Sequence, residues 1–494
     1  MVQLRHLSAS SISHQLTQNK HVAIAFALGV LILFGLAPEH GLTQQGVVLL
    51  AIVAPTMYMW LFVNTHWVSL LFLALLSLSG IMTPNQVWAG SLGHFSIMLV
   101  LVFSLISQCL SDTGVIEKLA HWFISRPWVQ GRPYGFLAMY MLANLFLGIF
   151  MQNLALAVMF VGLTAKICEQ LEITPSHSLY KCLMLGTFWG NGVLSIASPI
   201  AKTLPNILIG LVYAHLGVQI SYAQWLMIGL PFMAVSFGVI MLCIWFAKPD
   251  TTPLKNHRIE ADTTPLGLRG KVAVGVTVAL LAVILIPELF LALGVMVGLS
   301  QFLVSQGVIV PGIVALVALS LLSVKEGDTW QPVMDFAQVS TKVPINLLLF
   351  VSAVVIMGVP LSSEATGVLS WLQHLLLPLT ESLSPWTLFA TLVVLAIALT
   401  NLLSNTVVLT VFMSLGLAVF AQSAINPAVF GVVMAFGSSM ATLTPSATIT
   451  APLYYGPGHL DVRRVVGLNL LFLVLITGVL LAFIPWVQWV IQSL

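Results

Sequence analysis

"ALTNLLSNTVVLT", residues 398–410, lies at the centre of an uncharged run that extends from Trp386 to Ala421. About 20 helical residues cross the roughly 30 Å hydrocarbon layer of a bilayer once. The run is too long for one crossing and too short for two, and its polar residues Ser404, Asn405 and Thr406 fall near its middle. A helical hairpin that enters to mid-membrane and turns back fits, because irregular backbone at that depth is tolerated only inside protein or beside a water-filled cavity. One long tilted helix with a few internally packed polar residues is the plainer alternative.

The same pattern occurs earlier. The uncharged run from Phe136 to Ala165 centres on "FLGIFMQNLALAV", with Gln152-Asn153 at its middle, so Asn153 stands 252 residues before Asn405. Upstream, Thr113-Gly114 in "SDTGVIEKLAHWF" matches Thr366-Gly367 in "SEATGVLSWLQHL", an offset of 253. Downstream, "SIASPIAK" matches "TLTPSATI" and sets Pro199 opposite Pro445, an offset of 246. Three landmarks in one order indicate a duplicated repeat, and broken apolar segments at matching positions are the mark of secondary transporters.

Composition agrees. Of 494 residues, 59% are hydrophobic and 6% charged, and the mean hydropathy is +1.05, far from the roughly 25% charge of soluble domains. The expected fold is an all-α polytopic membrane protein of about eleven spans plus two re-entrant hairpins. The net charge of +2 shows no basic cluster, which excludes nucleic acid as a partner. Cys109, Cys168, Cys182 and Cys243 have no ligand spacing and read as small buried apolar residues. The segment 1–20 is polar and precedes a span, His21 to Leu36, without a cleavage site, so a removed signal peptide is not expected; an organellar transit peptide is the weaker alternative.

Lys and Arg positions set the topology. With a cytoplasmic N-terminus, spans near 21–36, 45–63, 66–82 and 95–112 return the chain to the inside at Lys118, Arg126 and Arg132. The count continues through a hairpin near 136–166, a cytoplasmic linker at 248–271, and a second repeat, 272–494, with its hairpin near 386–421. The first span and first repeat occupy 21–247. This assigns 16 of the 17 Lys and Arg to the cytoplasm, as the positive-inside rule requires, and gives an external C-terminus and oppositely oriented repeats.

Lys202, in "SPIAKTLPN", is the residue left over. It falls near mid-membrane, where an ammonium costs about 2.5 to 3.5 kcal/mol on the lenient insertion scale. The 15 acidic residues fall at span ends or in loops, with Asp112 and Glu117 inside and Glu39, Glu288, Glu364 and Glu381 outside. A substrate anion is therefore the fitting counterion, with snorkelling the alternative. Helix breaks are expected at Pro199, Pro205, Pro445 and Pro452. Broken helices and hairpin tips expose N-termini whose amides attract anions, and Asn153, Ser404, Asn405 and Thr406 add neutral donors.

"LLSNTVVLTVF" preceded by Thr400, together with "TLTPSAT" and "IMTPNQVWAGSLGHFSIMLVLVFSLISQCLSDTGVIEKLA", resembles the divalent anion/sodium symporter family of dicarboxylate and citrate carriers, in the ion transporter superfamily. The likeness runs from roughly residue 21 to 490. It implies a homodimer in the inner (cytoplasmic) membrane, with a scaffold and a moving transport domain working by an elevator mechanism. By the same resemblance Asn153, Ser404, Asn405, Thr406, Thr444 and Pro445 face a small carboxylate anion, joined by Lys202. Gln152, Ser198, Pro199, Thr400 and Leu443 support the site or hold a coupling sodium ion; no organic cofactor is implied. The first tip departs from the family's Ser-Asn-Thr, reading Gln152-Asn153-Leu154. A fixed ammonium beside the first sodium position repels sodium by several kcal/mol at close range. The expectation is therefore sodium-independent exchange of di- or tricarboxylates, such as succinate, malate, tartrate or 2-oxoglutarate. A sodium-coupled symporter is the first alternative and a membrane-embedded enzyme the remote one, since no intramembrane Asp pair, zinc motif or Ser-His-Asp set is present.

Overall fold

The computed structural model describes residues 9–493, apart from 64–65, 127–128, 130, 257–264, 293, 327, 344, 421–422, 445–447, 449 and 456–459. It is mostly helical. The chain opens with α1 (Ala9–Gly35), α2 (Gln44–Phe62), α3 (His66–Leu78), the short α4 (Pro84–Gly90) and α5 (Phe95–Asp112), followed by α6 (Val115–Ile124). Capping fixes several of these starts. Thr83 and Gln86 form a reciprocal capping box ahead of α4, with Pro84 at the first helical position.

A group of broken helices follows. α7 (Pro133–Leu147) and α8 (Asn153–Gln170) are separated by a five-residue turn, and both pack on α9 (Ser178–Gly192). α9 gives way to one 3-10 turn, Leu194–Ala197, then irregular backbone, then α10 (Thr203–Leu216). α11 (Tyr222–Ala247), α12 (Thr252–Asn256), α13 (Leu268–Ala292), α14 (Val297–Ser305) and α15 (Ile309–Leu321) lead to a small antiparallel hairpin, β1 (Ser323–Glu326) with β2 (Thr329–Pro332). Then come α16 (Phe336–Ser340), α17 (Ile345–Ser362) and α18 (Val368–Ser382). α19 (Pro385–Thr400) and α20 (Asn405–Phe420) both pack on α21 (Pro427–Ser438), which is followed by irregular backbone, α22 (Ala451–Tyr455), α23 (Val462–Ala482) and α24 (Ile484–Ser493).

The same order, two helices joined by a short turn and then a helix that breaks, thus occurs twice. Gly114 and Gly367 precede α6 and α18, and both are left-handed, at φ 69° and 64°. Thr113 and Thr366 each turn their hydroxyls back onto preceding carbonyls.

Among the described residues, three helical stretches are long and apolar enough to cross a bilayer unbroken: Tyr222–Ala247, Leu268–Leu291 and Arg463–Gln492. α14 and α15 meet at 78°. Phe26, Phe34, Leu78 and Val474 point outward, as lipid-facing side chains of a polytopic membrane protein do. The interior is aromatic: Trp225 and Phe232 of α11 pack on Phe436 of α21 at 5.7 and 5.0 Å, and Trp189 of α9 stacks on Phe472 of α23 at 4.5 Å.

The structure differs from the sequence reading at three points. The strands β1 and β2 interrupt an otherwise helical chain: Glu326 pairs with Thr329, and the sequence between them is Gly-Asp, a two-residue hairpin signal. α1 starts at Ala9, inside the polar segment read as preceding the first span, because neither Pro nor Gly interrupts the chain before Gly29. Pro205 and Pro452 lie in the first turns of α10 and α22 rather than in the breaks; a first-turn residue has no intrahelical N–H bond to lose.

Candidate functional site

The first tip is the turn between α7 and α8. Its backbone is tied to the break after α9: the Asn153 amide donates to the Ala201 carbonyl at 3.1 Å, and the Asn191 side chain donates to the Asn153 carbonyl at 3.0 Å. The break is a compact turn. The Ser198 hydroxyl accepts from the Ile200 amide, the Ser198 carbonyl accepts from Ala201 and Lys202, and the Pro199 carbonyl, freed from helix, receives the Asn206 side chain at 2.8 Å.

Lys202 is the last residue of this turn and the N-cap of α10. Its side chain, 7% exposed, folds back so that the ammonium donates to the Gly192 carbonyl at the end of α9. A positive charge there complements the carbonyl end of a helix dipole. Elsewhere Lys342 pairs with Asp112 and Arg464 with Asp461, and His177 lies against Asp250; among the described residues Lys202 has no carboxylate partner. Gln152, Asn153, Ser198, Pro199 and Lys202 thus form one cluster.

The second tip is organised by an asparagine that sequence reading missed. Asn401, buried just after α19, donates to the carbonyls of Ile397 and Met440 and accepts the amides of Thr442 and Leu443, both at 2.8 Å. The Thr444 hydroxyl closes the loop on the Asn401 carbonyl at 2.6 Å. Thr400, fully buried, sets its hydroxyl between the Ser438 carbonyl (2.6 Å) and Asn405 Oδ1 (3.0 Å). Ser404 and Asn405 open α20 half-buried, and Thr406 is buried behind them. Thr400, Ser404, Asn405, Thr406, Leu443 and Thr444 form the second cluster; Pro445 lies outside the described residues. The only signal for Asn401 was its place beside the tip, where an Asn in an apolar run also fits ordinary helix packing.

The clusters are joined crosswise. α10 packs on α20 and α21, while α22 packs on α8 and α9. Trp189 donates to Asn469 at 2.7 Å, Asn469 to the Tyr455 hydroxyl at 2.6 Å, and Tyr455 to the Thr442 carbonyl at 2.9 Å. That chain runs from α9 to the irregular segment after α21. Asn191, Trp189, Asn469 and Tyr455 were also missed, since each takes meaning only from partners distant in sequence.

Each tip lies beside a broken helix, with helix N-termini at Asn153, Thr203 and Asn405 and one buried ammonium at Lys202; helix N-termini and cations are groups that attract anions. The family described as citrate transporter (CitMHS) matches residues 47–437. The chain belongs to that family. It is similar to the sodium-dependent dicarboxylate transporter SdcS of Staphylococcus saprophyticus, 24% identical over 93% of this chain and 90% of that protein. The SdcS protein of Staphylococcus aureus strain USA300 is 23% identical over 86% of this chain and 82% of its own length. Among solved structures, the YdaH transporter of Alcanivorax borkumensis matches with a TM-score of 0.54 at 12% identity, covering 81% of this chain and 87% of that one. This likeness concerns the fold.

Proposed function

We propose that this member of the citrate transporter family exchanges one di- or tricarboxylate for another across the cytoplasmic membrane without sodium. The observation that carries the reading is Lys202, a buried ammonium bonded to the Gly192 carbonyl, with no carboxylate ion pair among the described residues. A bound carboxylate completes its neutralisation. Because the charge is tethered, an empty site carries it back unpaired and crosses slowly, whereas a site reloaded with another carboxylate crosses readily.

The contrast between the two breaks supports this. At the end of α21 the Ser438 carbonyl is bonded by the neutral hydroxyl of Thr400, while the Gly192 carbonyl at the end of α9 is bonded by a cation. The first repeat therefore carries its own positive charge where a mobile ion would otherwise serve. Asn153, Asn405, Ser404, Thr406 and Thr444 orient the carboxylates; Gln152, Ser198, Pro199 and Leu443 shape the tips.

The remaining architecture belongs to the same proposal: an inverted repeat of eleven spans with two re-entrant hairpins, a homodimer, elevator movement, an inner-membrane location, a cytoplasmic N-terminus and an external C-terminus. Lys118, Arg269 and Lys342, all assigned inside by the charge count, cluster at one end of the fold. Lys118 reaches the Pro265 carbonyl, Arg269 the Val333 carbonyl and Lys342 the Asp112 carboxylate. Glu288, assigned outside, lies near the other end of α13 and accepts from Ser221.

The deciding experiment is counterflow in proteoliposomes. Uptake that requires an internal carboxylate and is unchanged when sodium is removed supports exchange; uptake into empty vesicles driven by a sodium gradient refutes it. Sodium coupling is the second reading. It is favoured by the oxygen-rich second cluster, where Thr400 Oγ, Asn405 Oδ1 and the Ser438 carbonyl converge, and by the names of the SdcS relatives.

A further inference from the structure

The two tips are held differently. Among the described residues, every hydrogen bond from the turn 401–404 and from the Thr400 and Asn405 side chains goes to α19, α20 or the segment 438–444 of its own broken helix. The first tip has partners outside its own unit. The Gln152 amide donates to the Ser107 hydroxyl at 2.7 Å, and the Gln152 side-chain nitrogen donates to the Ser104 hydroxyl at 3.0 Å. Ser104 and Ser107 are buried on α5 and stand three residues apart, so one helix face presents both hydroxyls to the tip.

The next residue, Asn153, is bonded to Ala201, which directly precedes Lys202. The first tip therefore bridges two bodies, α5 on one side and the turn that carries the ammonium on the other. Gln152 is also where this chain departs from the Ser-Asn-Thr tip. A serine side chain is two bonds shorter and ends in a single hydroxyl, whereas glutamine combines reach with a two-donor amide.

We propose that Gln152, with Ser104 and Ser107, is a release catch: the first tip docks on α5 in the conformation described here and must leave α5 in every transport cycle. This goes further than the exchange reading and rests on the chain being a carrier, since a site that opens to each side in turn must free the tip that closes one of them. Two neutral hydrogen bonds suit the task, being strong enough to favour one state and weak enough to break repeatedly. Gln152 is here a positioning residue.

The test uses the full chain with Ser104→Cys and Gln152→Cys; the four native cysteines are buried. Copper phenanthroline or mercuric ion is expected to bridge the pair and to slow carboxylate exchange about tenfold or more, with recovery on adding dithiothreitol. Ser104→Ala with Ser107→Ala, which leaves the tip's backbone contacts with Ala201 intact, is expected to change the half-saturating substrate concentration by about threefold or more, and Ser107→Thr, which keeps a hydroxyl, to change it less. Undiminished exchange by the bridged protein, or failure of the pair to bridge, overturns the catch alone. Absence of exchange by the reduced pair and by the wild type alike overturns the carrier reading, and the catch with it.

Discussion

Lys202 and Asn401 carry opposite lessons about single residues. Among the described residues the Lys202 ammonium has one carbonyl partner for its three donors, so on the proposed reading its removal is felt where substrate binds. Lys202→Ala is expected to lower the rate of dicarboxylate exchange at fixed substrate about tenfold or more, while the protein still purifies as a folded species, measured with radiolabelled succinate in proteoliposomes. Asn401 makes four hydrogen bonds that shape the second tip. Asn401→Leu takes this partner from two amides and two carbonyls, which costs about 1 to 3 kcal/mol for each buried group that finds no substitute. A lower unfolding temperature together with loss of transport is the expected outcome, and an unchanged melting curve would contradict it. Lys202 could be found from sequence because a charge inside an apolar run is costly wherever it sits. Asn401 could not, because its worth lies in the amides of Thr442 and Leu443, some forty positions away in the chain.

Among elements, the breaks were legible and their causes less so. Polar residues at the centre of over-long apolar runs marked both tips, and Pro199 does sit inside the first break, yet Pro205 and Pro452 belong to first turns, a distinction that depends on where each helix restarts. The hairpin β1–β2 escaped notice because four-residue strands leave little periodicity to read. The Thr-Gly landmarks show how one local conformation can sit in two environments. Gly114 and Gly367 are both left-handed, but a Cβ on Gly114 meets nothing within 4 Å, whereas one on Gly367 would collide with the Gly41 carbonyl oxygen. Gly114→Ala is therefore expected to cost only the backbone term, about 1 kcal/mol. Gly367→Ala must also push apart the backbone joining the start of α2 to the start of α18, where the Thr43 amide bonds the Thr366 carbonyl at 3.1 Å. Thermal unfolding in detergent checks the pair: a large loss for Gly367→Ala beside a small one for Gly114→Ala is expected, and equal losses would contradict the reading.

At the scale of the whole molecule, the proposed exchange predicts how transport responds to voltage. In an exchange cycle Lys202 travels with the site in both directions, so its own contribution cancels over a full turn. What remains is the difference between the charges of the two carboxylates. One dianion exchanged for another moves no net charge, and its rate is expected to change little when a potassium diffusion potential is imposed with valinomycin. A dianion exchanged for a trianion moves one elementary charge, worth about 2.3 kcal/mol per 100 mV, so inward and outward gradients of the same potential should bias that exchange in opposite directions, by up to about fiftyfold in the equilibrium ratio. A sodium symporter behaves otherwise, since the number of ions carried, not the pairing of substrates, sets its voltage dependence. If dianion-for-dianion flux proves strongly voltage-sensitive and sodium-dependent, the ammonium held by the Gly192 carbonyl is a strut within the first break and the moving charge belongs to the second cluster around Thr400 and Asn405.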